Sequence, residues 1–178
     1  MGKIVFFTNR MTKGRSERVI SYLANGLCNR HSVDIVTMTS APSDYELYEK
    51  VNHIPIEKEQ AKNNHSLTTN YKRLQNLKRY ISENEDATFI SFVTLPSYIL
   101  LLLRRRIKGK IIVTVRNDPK ASHRHFYDRW LVEQLYPKAY GIVFQTTEAQ
   151  NYYGDIEVNN LIILPNPLNE RFDKPPFT

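Results

Sequence analysis

Gly2-Lys-Ile-Val-Phe-Phe-Thr-Asn-Arg10, continuing through Met11–Arg15 into Ser16-Glu-Arg-Val-Ile-Ser-Tyr-Leu-Ala-Asn-Gly-Leu-Cys-Asn-Arg30, opens the chain and decides its fold. Ile4 to Phe7 are four consecutive apolar residues of β-branched and aromatic type. A run of that kind predicts a strand buried on both faces, as inside a parallel sheet. A polar loop containing Gly14 follows. Val19, Ile20, Leu23, Ala24, Leu27 and Cys28 then recur at i, i+1, i+4, i+5, i+8 and i+9, one apolar stripe of an α-helix. His31-Ser-Val-Asp-Ile-Val-Thr37 reads as a second strand. Strand, loop, helix and strand make a right-handed βαβ crossover. The loop between the first strand and the helix N-terminus offers free N–H groups and the positive end of the helix dipole, a setting that suits a phosphate.

The size and charge of the chain narrow what such a unit can belong to. Its 178 residues suffice for one domain with a full core and are too few for two ordinary ones. A formal charge of +7 favours anionic partners: nucleic acid, anionic lipid headgroups or phosphorylated substrates. The single cysteine, Cys28, lies on the apolar stripe of the helix, so it reads as a core residue and no disulfide framework exists. That, with no secretory signal at Met1-Gly-Lys, gives a cytoplasmic expectation. The longest apolar run, Tyr98 to Leu103, is far below the roughly 20 residues that span a bilayer.

Working outward along the chain, His53–Ile56 predicts an edge strand, where Pro55 is tolerated. Lys58–Thr69 reads as a polar loop. Asn70–Glu85 predicts a helix with Tyr71, Leu74, Leu77 and Ile81 inward and Lys72, Arg73, Lys78 and Arg79 outward. Thr88–Val93 is a buried strand, and Thr94-Leu-Pro96 opens an apolar helix closed by the basic run Arg104–Lys110. Proline belongs in a first helical turn, and cations at the C-terminus suit the dipole. Ile111–Val115 is the next strand. Ser122–Tyr136 predicts a helix with Phe126, Tyr127, Trp130, Leu131 and Leu135 inward. Gly141–Phe144 is a strand, Thr147 a candidate cap for a short helix, and Leu161–Leu164 the last strand. Alternating strands and helices with apolar strands give an α/β class: a Rossmann-like, doubly wound, mainly parallel sheet spanning residues 1–168. Residues 169–178, with Pro175-Pro176, read as the start of a linker.

In an open α/β sheet, ligands bind beyond the carboxyl ends of the strands. The residues there are Thr8, Asn9, Arg10 and Gly14; Thr94 and Pro96; Arg116, Asn117 and Asp118; Gln145, Thr146 and Thr147; and Asn166. This polar, hydrogen-bonding set suits a polyhydroxyl or phosphorylated ligand. Asp118 is either a general base at the mouth of the site or an Asp-Pro turn residue; Arg116 either holds an anionic group or pairs with a carboxylate. Several chemistries lack their sequence motifs. There is no G-x-G-x-x-G for a dinucleotide and no Walker A sequence. The five histidines have no partners at metal spacing, so no metal is expected. No serine sits in a G-x-S-x-G elbow, and no nucleic-acid-binding pattern accompanies the charge.

Six segments in this order carry a resemblance: S-E-R-V-I-S-Y-L-A-N-G-L (16–27), H-S-V-D-I-V-T (31–37), F-I-S-F-V-T-L-P (89–96), I-I-V-T-V-R-N-D-P (111–119), L-Y-P-K-A-Y-G-I-V-F-Q-T-T-E-A-Q (135–150) and I-I-L-P-N-P-L (162–168). Together they resemble the N-terminal half of the retaining GT-B glycosyltransferases of the family 4 type, which includes lipopolysaccharide, capsule and exopolysaccharide sugar transferases. The resemblance implies a GT-B enzyme of two Rossmann-like domains facing a cleft. The N-terminal domain binds the acceptor. The C-terminal domain, with a Glu-x7-Glu signature, binds the nucleotide-sugar. No metal or further cofactor is implied, and the anomeric configuration is retained. The family's Gly-Gly-Ala-Glu-Arg loop is matched by Gly14-Arg15-Ser16-Glu17-Arg18, with Arg15 in place of the second glycine. The resemblance thus implies a donor-phosphate loop at Gly14, Arg15 and Ser16. Acceptor binding falls to Asn9, Thr94, Arg116, Asn117, Gln145, Thr146 and Asn166, and catalysis to Asp118. Glu49 and Glu57 have the Glu-x7-Glu spacing without its glycine-rich context, so they are set aside as coincidence.

The expected function is therefore the acceptor side of an enzyme that transfers a hexose-type sugar to a glycan or lipid-linked acceptor, inactive without a donor domain. Its basic helix face and Arg104–Arg106 suit docking on the anionic inner face of the cell membrane. The alternative is a stand-alone Rossmann-like module that binds an anionic ligand or nucleic acid without catalysis.

Overall fold

The computed structural model describes residues 2–57, 67–116 and 126–165. Seven parallel strands form one sheet: β1 Lys3–Thr8, β2 Ser32–Thr37, β3 Val51–Pro55, β4 Thr88–Ser91, β5 Ile111–Val115, β6 Gly141–Phe144 and β7 Leu161–Ile163. Their spatial order is β3-β2-β1-β4-β5-β6-β7. The chain winds outward from β1 to β3, crosses back, and winds outward again from β4. The topological switch point therefore lies between β1 and β4, where the pairing Phe7↔Ser91 leaves both strands ending side by side.

The helices are α1 Arg15–Leu27, α2 Leu67–Glu83, α3 Thr94–Leu102, α4 Phe126–Leu135 and α5 Thr147–Tyr152, with 3-10 turns at Arg104–Arg106 and Tyr136–Lys138. Alternation along each strand sends side chains into two cores. Phe6 and Ile35 join Val19, Ile20 and Ala24 of α1 on one face. Val5, Phe7 and Val36 join Leu77 and Ile81 of α2, Leu100 and Leu101 of α3 and Val132 of α4 on the other. Both faces are covered at the centre of the sheet, which is why the inner strands are continuously apolar. Each such fully buried side chain contributes about 1.5–3 kcal/mol.

Three predicted orientations are corrected. Tyr71 is 63% exposed, whereas Arg73, expected on the outer face, is buried at 8%. The inward stripe of α2 is Arg73, Leu77, Tyr80 and Ile81, rotated by part of a turn from the apolar pattern. Trp130 is 58% exposed, and Val132 is buried in its stead beside Leu135, which faces inward as expected. The cap of α5 is Thr146, one residue before the expected Thr147: its Oγ1 accepts from the Ala149 N–H at 3.1 Å. The linker predicted at residues 169–178 lies outside the described residues.

A polar network pins α2 to the amino-terminal half of the sheet. Asp34, 1% exposed in the middle of β2, accepts from the Tyr80 hydroxyl at 2.5 Å and the Asn52 side-chain amide at 2.9 Å. It also pairs with the Lys3 ammonium at 2.7 Å. Burial pushes the Asp34 carboxyl upward, but these three partners together outweigh it and hold the group below its ordinary value. Burial, reinforced by Asp34, raises the Tyr80 hydroxyl well above its ordinary value, so it remains a donor.

Candidate functional site

Beyond the carboxyl ends of β1, β2 and β3 the loops part from the crossover helix and leave a cavity of about 790 Å³. The loop after β1 contributes Asn9, Arg10 and Thr12; the loop after β2 contributes Met38, Thr39, Ser40 and Ala41. Across from them stand Glu57, Asn70, Arg73 and Leu74, with Leu95 and Ile99 of α3 closing the side. The strand-end loops are bound to each other: Met38 N–H donates to Thr8 O at 3.1 Å and Thr39 Oγ1 to Asn9 O at 3.2 Å. The lining is thus mixed, its polar groups interspersed with the apolar side chains of Met38, Leu74, Leu95 and Ile99. A pocket of this size with a few convergent polar groups is the usual form of a small-molecule site.

An ion pair organises part of the polar lining. Arg73 Nη2 donates to Glu57 Oε2 at 2.8 Å and Nη1 to Asn70 Oδ1 at 3.1 Å. Both charged side chains of the pair are only 10% exposed. Glu57 follows β3 at the sheet edge, and the Asn76 side-chain amide, donating to Ile56 O at 3.1 Å, holds α2 against that edge. Sequence reasoning missed this pair. Arg73 sits in a polar run of α2, and its partner lies 16 residues away, across a segment read as a plain loop.

A second, narrower cleft flanks the N-terminus of α3, lined by Phe92, Val93, Thr94, Thr114, Val115, Arg116, Tyr136 and Tyr153. It brings together two of the sequence candidates, Thr94 and Arg116. The Arg116 guanidinium lies 5.4 Å from the centre of the Phe92 ring. Burial lowers its pKa from the ordinary value, though an arginine keeps its proton. Asn9 lines the larger cavity. Gln145 is half-buried after β6 and lines neither cleft. Thr146 spends its hydroxyl acceptor on the α5 cap. Asn117, Asp118 and Asn166 lie outside the described residues.

Gly14, Arg15 and Ser16 form the N-terminus of α1, as expected, and the loop is held from outside. The Gly14 N–H donates to the Tyr45 hydroxyl at 3.0 Å, and that hydroxyl donates back to Gly14 O at 2.7 Å. The Lys13 N–H donates to Asp44 Oδ2 at 2.8 Å. A Cβ at Gly14 would lie 2.0 Å from Glu17 Oε2, so the Glu17 carboxylate folds directly over the glycine. Negative charge therefore already occupies the first turn of α1. Among the described residues, no group of three or more His, Cys, Asp or Glu side chains is placed to hold a metal ion.

Comparison with known proteins places these features in a family context. The model of Glycosyltransferase Family 4 matches residues 16–172. A Campylobacter jejuni enzyme is 26% identical over 119 residues, 66% of this chain and 33% of that protein. Its name is GalNAc-α-(1→4)-GalNAc-α-(1→3)-diNAcBac-PP-undecaprenol α-1,4-N-acetyl-D-galactosaminyltransferase. Sucrose-phosphate synthase from Thermosynechococcus elongatus superposes with a TM-score of 0.74 at 13% identity, over 96% of this chain and 49% of that one. The Anabaena protein HepE, solved with UDP and glucose, gives 0.71 at 10% identity, over 96% and 46%. At such identities the structures show a shared fold, here the Rossmann-like half of a GT-B architecture. The chain spans about a third of the curated relative and about half of each solved structure.

Proposed function

Because the chain belongs to Glycosyltransferase Family 4, we propose that it is the acceptor-binding half of an enzyme transferring a hexose-type sugar from a nucleotide-sugar, with retention, to a glycan or lipid-linked acceptor in surface polysaccharide synthesis. The observation that carries this reading is the cavity of about 790 Å³ outside the carboxyl ends of β1–β3, of mixed polar and apolar lining and built largely from residues within the stretch the family model matches. Two relatives lend support by what their names state: one acts on an undecaprenol-linked glycan, and one was solved with UDP and glucose.

In this reading the donor is bound mainly by residues outside this chain, with Gly14–Ser16 facing its diphosphate and Asp118 the candidate catalytic group. No resident cofactor is required. The acceptor occupies the cavity, with Thr94 and Arg116 as further candidate acceptor residues. Among the described residues no helix is long and apolar enough to cross a membrane. Docking on the anionic inner face of the cell membrane falls instead to the exposed Leu102 beside Arg105 and Arg106, each cation contributing about 1 kcal/mol near the surface.

The test is sugar transfer from a panel of nucleotide-sugars to lipid-linked glycans, by the 178-residue chain alone and by the same chain joined to a donor-binding domain. The expected outcome is turnover only in the second case. Turnover by the chain alone would overturn the half-enzyme reading, and no turnover in either case would overturn the transferase reading. Binding to anionic liposomes at low salt, lost as salt rises, checks the membrane step.

A further inference from the structure

We propose that the cleft between the N-terminus of α3 and the end of β5 is an oxyanion subsite, which takes one oxygen of a phosphate group carried by a substrate. It rests on the transferase reading only for the source of that phosphate, the nucleotide-sugar or a lipid-linked acceptor.

Two independent observations meet in this cleft. The first is an uncapped helix end. β4 and β5 pair in parallel through Ser91↔Val113, so the residues that follow, Phe92–Thr94 and Thr114–Arg116, stand side by side at the carboxyl edge of the sheet. α3 starts there with Val93 as its N-cap, which has no side-chain oxygen to offer, and no acidic residue follows in the first turn. A helix leaves its first N–H groups without an intrahelical partner. Pro96 lacks one, and those of Thr94 and Leu95 remain at the positive end of the helix dipole. The second observation is Thr114. It is 8% exposed, it lines the same cleft, and its buried Oγ1 has no hydrogen-bond partner among the described residues. A buried hydroxyl without a partner is costly and calls for an explanation. An anionic oxygen in the cleft gives that hydroxyl an acceptor and completes the cap of α3.

The dimensions and charge of the cleft select the ligand. Its volume is about 10 Å³, room for one water-sized atom, so the tip of a ligand enters and the rest stands at the mouth. A phosphate can present one oxygen in this way and keep the others for a cation outside. The Arg116 guanidinium lines the cleft and keeps its charge, and its fork of N–H donors suits phosphate oxygens whatever other contact it makes. Among the described residues lining the cleft none is acidic. Tyr136 and Tyr153, both buried there, have their pKa values raised by that burial and so remain neutral. The N-terminus of α1 differs, because the Glu17 carboxylate already lies over Gly14.

The experiment titrates the 178-residue chain with uridine diphosphate and, separately, with geranyl diphosphate, and follows the Thr94 and Leu95 amides by NMR. Saturating shifts of these amides are expected. Shifts with the nucleotide assign the phosphate to the donor, and shifts with the prenyl compound assign it to a lipid-linked acceptor. No shift with either overturns the inference. Thr114→Val keeps the shape and removes a hydroxyl that has no partner in the protein. Its melting temperature is expected to match or exceed that of wild type, while diphosphate binding weakens about tenfold. Thr114→Ser is expected to restore the affinity. Val93→Asp supplies a carboxylate cap in the same place, and is expected to raise the melting temperature and abolish binding. A Thr114→Val that melts lower and binds as wild type does overturns the inference, because the hydroxyl then holds only a structural water. A folded Val93→Asp with unchanged binding overturns it as well. The transferase reading fails separately, by absence of turnover once a donor domain is joined, whatever these titrations show.

Discussion

Helix α2 is fastened by charge at both ends, and the two fastenings differ in kind. Toward its C-terminus, Tyr80 reaches Asp34, itself 1% exposed, in a network that Lys3 and Asn52 join from the surface side. Toward its N-terminus, Arg73 meets Glu57 on the wall of an open cavity. Asp34 is held by three partners. Glu57 faces space that water or a ligand can enter. The same chemistry, a carboxylate under one helix, is structural where it is sealed and available for recognition where it is not. Burial alone does not mark a functional group; burial beside a cavity does.

The strongest test of that contrast is to remove each carboxylate. Asp34→Ala leaves a lysine, a phenol and an amide facing a site without an acceptor, and is expected to cost about 4 kcal/mol. Glu57→Gln removes one anionic partner of Arg73 beside a cavity that water can enter, and is expected to cost about 2 kcal/mol. Thermal unfolding of both variants checks the order. Equal losses would mean that the two ends of α2 are equally sealed, and the contrast would fail.

A milder change probes the sealed end alone. Tyr80→Phe removes one hydrogen bond to Asp34 and is expected to cost about 1.5 kcal/mol. The pH dependence follows from the lowered Asp34 pKa. A carboxylate whose folded pKa is depressed contributes stability that is present above its unfolded pKa of about 3.9. That contribution is lost as pH falls through the folded value. Losing the Tyr80 donor raises the folded pKa and narrows that window. The excess stability of wild type over Tyr80→Phe should therefore be full at neutral pH and shrink below about pH 4. A stability difference independent of pH down to acid unfolding would show that Tyr80 acts by packing only.

The two ends were not equally legible. The strands could be read because a parallel sheet covered on both faces demands continuous apolar runs, and Ile4–Phe7 and Ile111–Val115 have them. The carboxyl-end rule then pointed to Asn9, which lines the main cavity, and to Thr94 and Arg116, which share the second cleft. Arg73 was not legible. Periodicity on α2 favours Tyr71 as the inward residue, whereas the structure buries Arg73 against Glu57, which follows the edge strand. The clasp of Tyr45 and Asp44 on the loop before α1 spans 31 residues and leaves no local signal. Thr146 and Thr147 are equivalent as caps in sequence, and the end of β6 at Phe144 decides between them.

The smallest effect on stability sharpens the open end. Leu95 is 60% exposed on the first turn of α3, with Ile99 beside it on the cavity wall. A side chain that remains largely in water contributes little to folding, so Leu95→Ala is expected to change stability by less than about 0.5 kcal/mol. If the apolar side chains of the lining receive the C–H face of a sugar, the same substitution removes carbon surface that the ligand would cover. Neutral glycoside affinity should then fall about threefold, a fraction of the transfer free energy of a leucine side chain. NMR titration reads that change directly. A variant with unchanged stability and weakened binding would separate recognition from folding at this end of α2, as no substitution at Asp34 can. A variant in which neither moves would remove Leu95 from the site and leave the polar lining to act alone.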